Sequence, residues 1–233
     1  MLFGQDQSPV PQLAHVVSVN VGGPRLVQTM GASILTSIFK SPVEGRVPIR
    51  GHNLEGDRQS DLTVHGGPYK AVYAYAVEHY DYWAEQLPGF ELSPGMFGEN
   101  LTTAGLDENV VKIGDRYAFG SAVLQVTQPR MPCFKLALRF GLADMVKRFW
   151  QSGRSGIYFS VVKEGDVAAG DRIEKATDGP EAVTVADVVR LYRGGEESQE
   201  LLERVLRAPL FGSWKREIVE RRAANIEQHL SMG

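Results

Sequence analysis

The sequence predicts a mainly β fold with α helices (α+β), in two parts: a β-rich domain over residues 1–177 and a small three-helix domain over residues 183–233. Three observations point there. Short apolar-alternating runs, bounded by glycine and proline turns, recur as far as Lys175, which is the pattern of strands. From Thr184 onward the text changes to short amphipathic helices, TVADVVRLY, SQELLERVL and SWKREIVERRAANIEQHL. Between the two lies DGPEA, residues 178–182, with the composition of a link.

The first strand is read in AHVVSVNVGG, where Val16, Val17 and Val19 lead into a glycine pair. A stretch punctuated by proline and glycine follows as far as Ile49, then a polar loop, then a Val- and Tyr-rich strand over residues 71–76. Residues 77–87 have helical spacing, with Tyr80, Trp83, Ala84 and Leu87 on one face, and Pro88-Gly89 stops them. Residues 110–128 read as strand, turn and strand, with Gly120-Ser121 at the reversal. A helix over 137–150 broken at Gly141, a strand over 157–162, a turn through Glu164, Gly165 and Asp166, and a last strand over 172–175 complete the β-rich part. In the tail, Thr184 and Asp187 have the spacing of a capping box. The tripeptide Gly-Asp-Arg begins at Gly56, Gly114 and Gly170. The last two are read as turns opening strands; the first is followed instead by polar residues and a His-Gly-Gly.

Composition excludes several classes of function. With 43% hydrophobic and 23% charged residues the chain is of ordinary globular make-up. A net charge of −3 gives no general attraction to nucleic acid or anionic lipid, so neither is expected as a partner. The N-terminal MLFGQDQSPV lacks the features of a signal peptide, and no run of about 18 apolar residues occurs. A cytoplasmic location is expected. One cysteine in 233 residues rules out an internal disulfide or a four-thiolate cluster. The HExxH, GxSxG, Walker and GxGxxG patterns are absent.

Three stretches could do chemistry. In QPRMPCFKL, Cys133 lies between Pro129 and Pro132 on one side and Lys135 on the other, with Arg130 close by. Prolines stiffen the presenting loop, and nearby cations favour the thiolate that attacks or binds metal. A small buried apolar residue is the competing reading of the same cysteine. In EGDRQSDLTVHGG, Asp57, Arg58 and His65 surround the Gly66-Gly67 pair with Lys70 just beyond, a set suited to an anionic group. A polar surface loop fits that stretch equally well. In FGENLTT, Glu99 and Asn100 stand on a turn before a strand, where a satisfied turn is the simpler account.

Taken together, LEGDRQSDLTVHGGPYKAVYAY, MFGENLTTAGL, VKIGDRYAFG and QPRMPCFKL, in that order, resemble the MOSC domain family, named for the C-terminal part of molybdenum cofactor sulfurases. The helical tail is similar to the three-helix addition of stand-alone bacterial members linked to resistance against 6-N-hydroxylaminopurine. The resemblance implies a MOSC β-barrel core with peripheral helices and a C-terminal helical bundle. It implies that molybdenum cofactor (molybdopterin) is bound, with Cys133 as metal ligand. Asp57, Arg58, Gly66, Gly67, Lys70, Glu99, Asn100 and Arg130 become the candidate cofactor-binding residues, and Cys133 and His65 the catalytic pair. The implied activity is reduction of small N-hydroxylated compounds, with electrons from a flavin reductase and with a homodimer as the assembly to consider; the family has a looser association with pyridoxal phosphate. A cofactor or sulfur carrier using Cys133 is the alternative, and a cysteine hydrolase using Cys133 and His65 ranks below both.

Overall fold

In the computed structural model the described residues are 13–29, 31–59, 67–193, 199–210 and 212–231, with side chains described as far as 224. In chain order the elements begin with β1 (His15–Val21), β2 (Arg25–Thr29), β3 (Ala32–Thr36), β4 (Ser41–Pro42), β5 (Val47–Arg50) and β6 (Asn53–Leu54). A 3-10 turn (Pro68–Lys70) precedes β7 (Val72–Ala76), α1 (Glu78–Gln86), β8 (Leu101–Ala104), β9 (Arg116–Phe119) and β10 (Ala122–Pro129). Then come α2 (Phe134–Phe140), α3 (Met145–Ser152), β11 (Ile157–Lys163), β12 (Gly165–Val167), β13 (Ile173–Thr177), α4 (Val185–Tyr192), α5 (Gln199–Arg207) and α6 (Gly212–Ser231). The mixed α and β content agrees with the sequence.

Eight strands form the main sheet in the order β13-β9-β10-β11-β7-β8-β1-β4. All neighbours are antiparallel except β7 and β8, which run parallel on either side of the α1 crossover. The closed barrel that the resemblance implies is not found. The two ends approach each other through a single bridge, His15 to Arg172. Three backbone bonds flank it: Val16 N donates to Asp171 O at 2.9 Å, Ile173 N to Ala14 O at 2.7 Å, and Gly170 N to Val16 O at 2.8 Å. Beyond Val16, β1 shifts register by a bulge, so the contact does not grow into a ladder. β5, β6 and β12 form a separate three-stranded sheet, and β2 with β3 a two-stranded hairpin.

Two apolar clusters hold these layers. One lies beneath the main sheet and runs without interruption from Val16, Phe119, Leu124 and Phe159 into Val185, Val188, Leu201, Trp214 and Ile218 of the tail. The helices after Thr184 therefore bury their apolar faces against the sheet's own core, as helices this short must. The second cluster is mainly aromatic: Tyr73, Tyr75, Tyr80, Trp83, Phe97, Phe140 and Phe149, contributed by β7, α1, the loop before β8, α2 and α3. Trp83 and Tyr75 meet polar needs inside it, Trp83 Nε1 donating to Tyr75 OH at 2.7 Å. Ala84, placed on the inner face by periodicity, is exposed, since α1 turns only Tyr80, Trp83 and Leu87 inward. No described helix is long and apolar enough to cross a membrane.

The expected capping box at Thr184 is present: its hydroxyl accepts from Asp187 N, and the Asp187 carboxylate accepts from Thr184 N. The expected turn at Glu164 to Asp166 is in part a strand, because β12 pairs with β5. All three Gly-Asp-Arg tripeptides are left-handed turns, with φ of 83° at Gly56, 90° at Gly114 and 86° at Gly170. In the second, Asp115 is fully buried. Its carboxylate accepts from Gly179 N at 2.7 Å and Lys112 N at 3.2 Å and pairs with Lys175 at 2.8 Å. It thus ties the turn before β9 to the segment that leads into the tail.

Burial works to raise the Asp115 carboxyl, but Lys175 and the two N–H donors outweigh it and hold it below the usual carboxylate range. Stability from this group is therefore present above the unfolded pKa of about 3.9 and fades as pH falls below it. Asp115→Ala is expected to cost about 2–4 kcal/mol at neutral pH. Urea melts of wild type and variant should differ by less at about pH 3 than at neutral pH; an undiminished gap would show that Asp115 acts through packing alone.

Candidate functional site

The residues that build the site come from separate parts of the chain. The end of β3 and the segment after it bring Thr36, Ser37 and Lys40; the Gly56 turn brings Asp57 and Arg58. The 3-10 turn brings Lys70, the start of β7 Tyr73, and the loop before β8 Gly98 and Asn100. The end of β10 and the loop after it bring Arg130, Met131 and Cys133. Together they line one cleft.

Asp57 is the knot in its wall. Its carboxylate is buried and pairs with the buried ammonium of Lys40. Oδ1 also accepts from Gly22 N at 2.8 Å and Oδ2 from Asn100 Nδ2 at 3.0 Å. The other end of the Asn100 amide accepts from Tyr73 N at 3.2 Å, so this side chain is pinned at both ends. Burial is the larger influence on Lys40 and pulls its ammonium below the ordinary lysine range, with Asp57 acting against it.

Cys133 sits half-buried at the N-cap of α2 in extended backbone, φ −127° and ψ 172°, and its carbonyl accepts from Leu136 N at 2.9 Å. The helix starts at Phe134 rather than near Ala137, which places the thiol at its first turn. Arg130 is buried. Its guanidinium bonds Phe97 O and lies over the rings of Tyr73 at 4.8 Å and Phe149 at 5.5 Å. Lys70 is held below its usual range chiefly by burial, while Glu217 and Cys133 act the other way. Burial pushes the Tyr73 hydroxyl well above the ordinary phenol range, so it remains neutral and donates to Ser155 O at 2.9 Å.

Among the described residues the charge in the cleft is one-sided: Lys40, Arg58, Lys70, Arg130 and Lys135 line it against the carboxylate of Asp57. Ser37 Oγ, also in the lining, is buried with no hydrogen-bond partner among the described residues. Such a cleft is built for an anion that also presents a polar edge. Among the described residues no group of three or more His, Cys, Asp or Glu side chains could hold a metal.

Of the residues predicted from sequence, the structure brings Asp57, Arg58, Lys70, Asn100, Arg130 and Cys133 together. It does not bring Glu99 to the cleft. That carboxylate is fully buried and accepts from Gly95 N at 2.8 Å, Phe97 N at 3.1 Å, Thr102 Oγ1 at 2.9 Å and Tyr80 OH. It folds the loop that presents Gly98 and Asn100. Gly67 caps the 3-10 turn with φ 85° and is absent from the lining. His65 and Gly66 lie outside the described residues. Sequence reasoning missed Lys40, Ser37, Tyr73 and Tyr158. Lys40 gave no local signal, being an isolated lysine in FKSPV whose meaning comes from Asp57, farther along the chain.

Comparison with known proteins shows the family to which the chain belongs. The family profile described as the MOSC domain matches residues 61–174. YflK of Bacillus subtilis is 41% identical over 208 residues, covering 89% of this chain and 94% of YflK. The crystal structure of YiiM from Geobacillus stearothermophilus superposes with a TM-score of 0.73 at 33% identity, over 90% of this chain and 99% of that one. A protein of Gibberella moniliformis named "Reductase" is 34% identical over 209 residues, 88% of this chain but 37% of its own length.

Removing one member of the Lys40–Asp57 pair strands a buried charge. Asp57→Ala is expected to cost about 3–5 kcal/mol. Adding Lys40→Met to it should restore at least half of that loss in the same denaturant melts; strictly additive losses would mean that the pair is not coupled.

Proposed function

Because the chain belongs to the MOSC domain family, beside YiiM and YflK, we propose that it is a molybdenum-cofactor-dependent reductase of N-hydroxylated compounds such as 6-N-hydroxylaminopurine. The observation that supports this most is the meeting, in one cleft, of a lone thiol with an excess of cations. Molybdopterin needs those two things from a protein: a soft ligand for a metal already held by its dithiolene, and donors for its phosphate and pterin edge. When bound, the cofactor supplies a metal centre that cycles by two electrons.

The residues present fit that group. Cys133 would be the thiolate ligand. Arg58, Lys70 and Arg130 would hold the phosphate, and the unpartnered Ser37 hydroxyl is available to a polar edge of the ligand. Asn100 is a brace, since both ends of its amide are taken within the protein. Arg130, fixed by two rings and a carbonyl, keeps its charge in place without reorganising.

The overall change is R–NHOH + 2 H⁺ + 2 e⁻ → R–NH2 + H2O. His65, in the motif that leads to Gly67, is the proposed donor of the proton that lets water leave, because an imidazole titrates near neutral pH. The sequence holds neither a dinucleotide fingerprint nor cysteines for a cluster, so a flavin reductase is the proposed electron source. The name of the fungal relative supports the reaction class.

Molybdenum per chain, measured by elemental mass spectrometry on anaerobically purified protein from a cofactor-making host, should be near stoichiometric in wild type. It should fall about tenfold or more in Cys133→Ala. Equal metal in both would remove Cys133 from the site. With an artificial donor the loaded wild type should convert 6-N-hydroxylaminopurine to adenine; metal retained with no conversion would favour a cofactor carrier.

A further inference from the structure

Arg25 and Arg139 meet at one ring just outside the cleft. The guanidinium carbon of Arg25, on β2, lies 3.6 Å from the Phe39 centroid, and that of Arg139, on α2, lies 5.0 Å from it. Phe39 is the residue between Ile38 and Lys40, both of which line the cleft. Arg139 stands one helical turn beyond Lys135, also in the lining, and about 9 Å along the axis from Cys133.

Among the described residues no carboxylate pairs with either arginine and neither guanidinium has a hydrogen-bond acceptor; Arg139 Nε is buried with no partner there. Burial and the charge of Arg25 both hold Arg139 below the usual arginine range, with Glu99 acting weakly the other way. The Glu99 carboxylate is already consumed by its own loop. Buried, unsatisfied donors are rare in folded proteins because each one costs free energy. Stacking fixes the plane of a guanidinium but leaves its N–H edge open, and the acceptor that best matches that edge is a phosphate oxygen.

We propose that Arg25 and Arg139 form a second oxyanion site, which takes the phosphate of a phosphorylated substrate and presents its N-hydroxylated base to the Cys133 cleft as a nucleotide. The identity of the base rests on the reductase reading; the phosphate rests on the two arginines. The reach from base to phosphate in a nucleoside monophosphate is comparable to the rise from Cys133 to Arg139. Arg25 and Arg139 come from the β2–β3 hairpin and from α2, elements that each give a residue to the cleft lining, Thr36 and Lys135, and a phosphate bound by both would bridge them.

Adenosine 5′-monophosphate, adenosine and inorganic phosphate are titrated by calorimetry into the protein purified with its own cofactor. The monophosphate is expected to bind about tenfold or more tightly than adenosine, with an affinity that falls as salt rises. In R25Q/R139Q the difference should collapse to about twofold or less, and R25K/R139K should keep only part of it, because charge is retained without the stacked, forked donor edge. Thermal midpoints close to wild type establish that the variants fold. Equal binding of adenosine and its monophosphate, or a difference that survives in R25Q/R139Q, overturns the site. Arginine-dependent binding of inorganic phosphate as tight as that of the monophosphate overturns its assignment to a substrate. No reduction step enters the measurement, so the phosphate site and the reductase reading can fail separately.

Discussion

The cleft depends on the carboxylate of Asp57. One buried side chain holds a buried ammonium, a backbone N–H at the end of the first strand and the amide that braces the loop before β8. Each partner comes from a different segment, so the group sets the distance between the walls. Dehydrating a carboxylate and an ammonium costs several kcal/mol per ion, and attraction offsets this only where further hydrogen bonds complete the site. Those bonds are present here. The same device recurs at the other Gly-Asp-Arg turns. Asp115 accepts from Gly179 N and pairs with Lys175; Asp171 accepts from Ala168 N and pairs with Arg46. Glycine lets the chain turn left-handed, and the aspartate that follows ties the turn to a distant segment.

That repetition marks how much of the molecule was legible in the sequence. The tripeptide was visible as a turn, and Cys133 stood out because its prolines and cations are adjacent in the chain. Capping at Thr184, the strand at 72–76 and the helix after it were likewise local, and each formed where propensity placed it. Lys40, Ser37 and Tyr73 became site residues only through tertiary folding. Glu99 is a related case: an acceptor-rich side chain on a turn serves a ligand or its own loop according to whether donors converge on it, and here two N–H groups and two hydroxyls do. The β2–β3 hairpin escaped notice because its run is interrupted by Gln28, Thr29 and Gly31 and shows little alternation. The barrel was inherited from a resemblance, and a bulge in β1 is where closure stops.

Behind the charged wall stands an aromatic one, and the two are fastened at Arg130. A guanidinium buried without a carboxylate at hand would ordinarily be costly. Here the rings of Tyr73 and Phe149 face it and the Phe97 carbonyl accepts from it, so the charge is supported by quadrupoles and a dipole. None of these supports neutralises it. The field it projects into the cleft therefore stays available to an anion, and it is held by a rigid cluster that also packs α1, α2 and α3.

The helical tail belongs to this electrostatic arrangement as well as to the core. Glu217 of α6 acts on Lys70, which faces Cys133 across the cleft, and Glu217 is itself fixed by the Tyr192 hydroxyl at 2.7 Å. Arg221 donates to the same hydroxyl at 3.1 Å and lies 4.2 Å from the ring. Tyr192 packs edge-on against Trp150, whose helix also contributes Phe149 to the support of Arg130. Burial alone would weaken the charge of Lys70, and the carboxylate that restores part of it comes from the last helix. The electrostatic setting of the cleft is thus shaped by the tail as well as by the sheet.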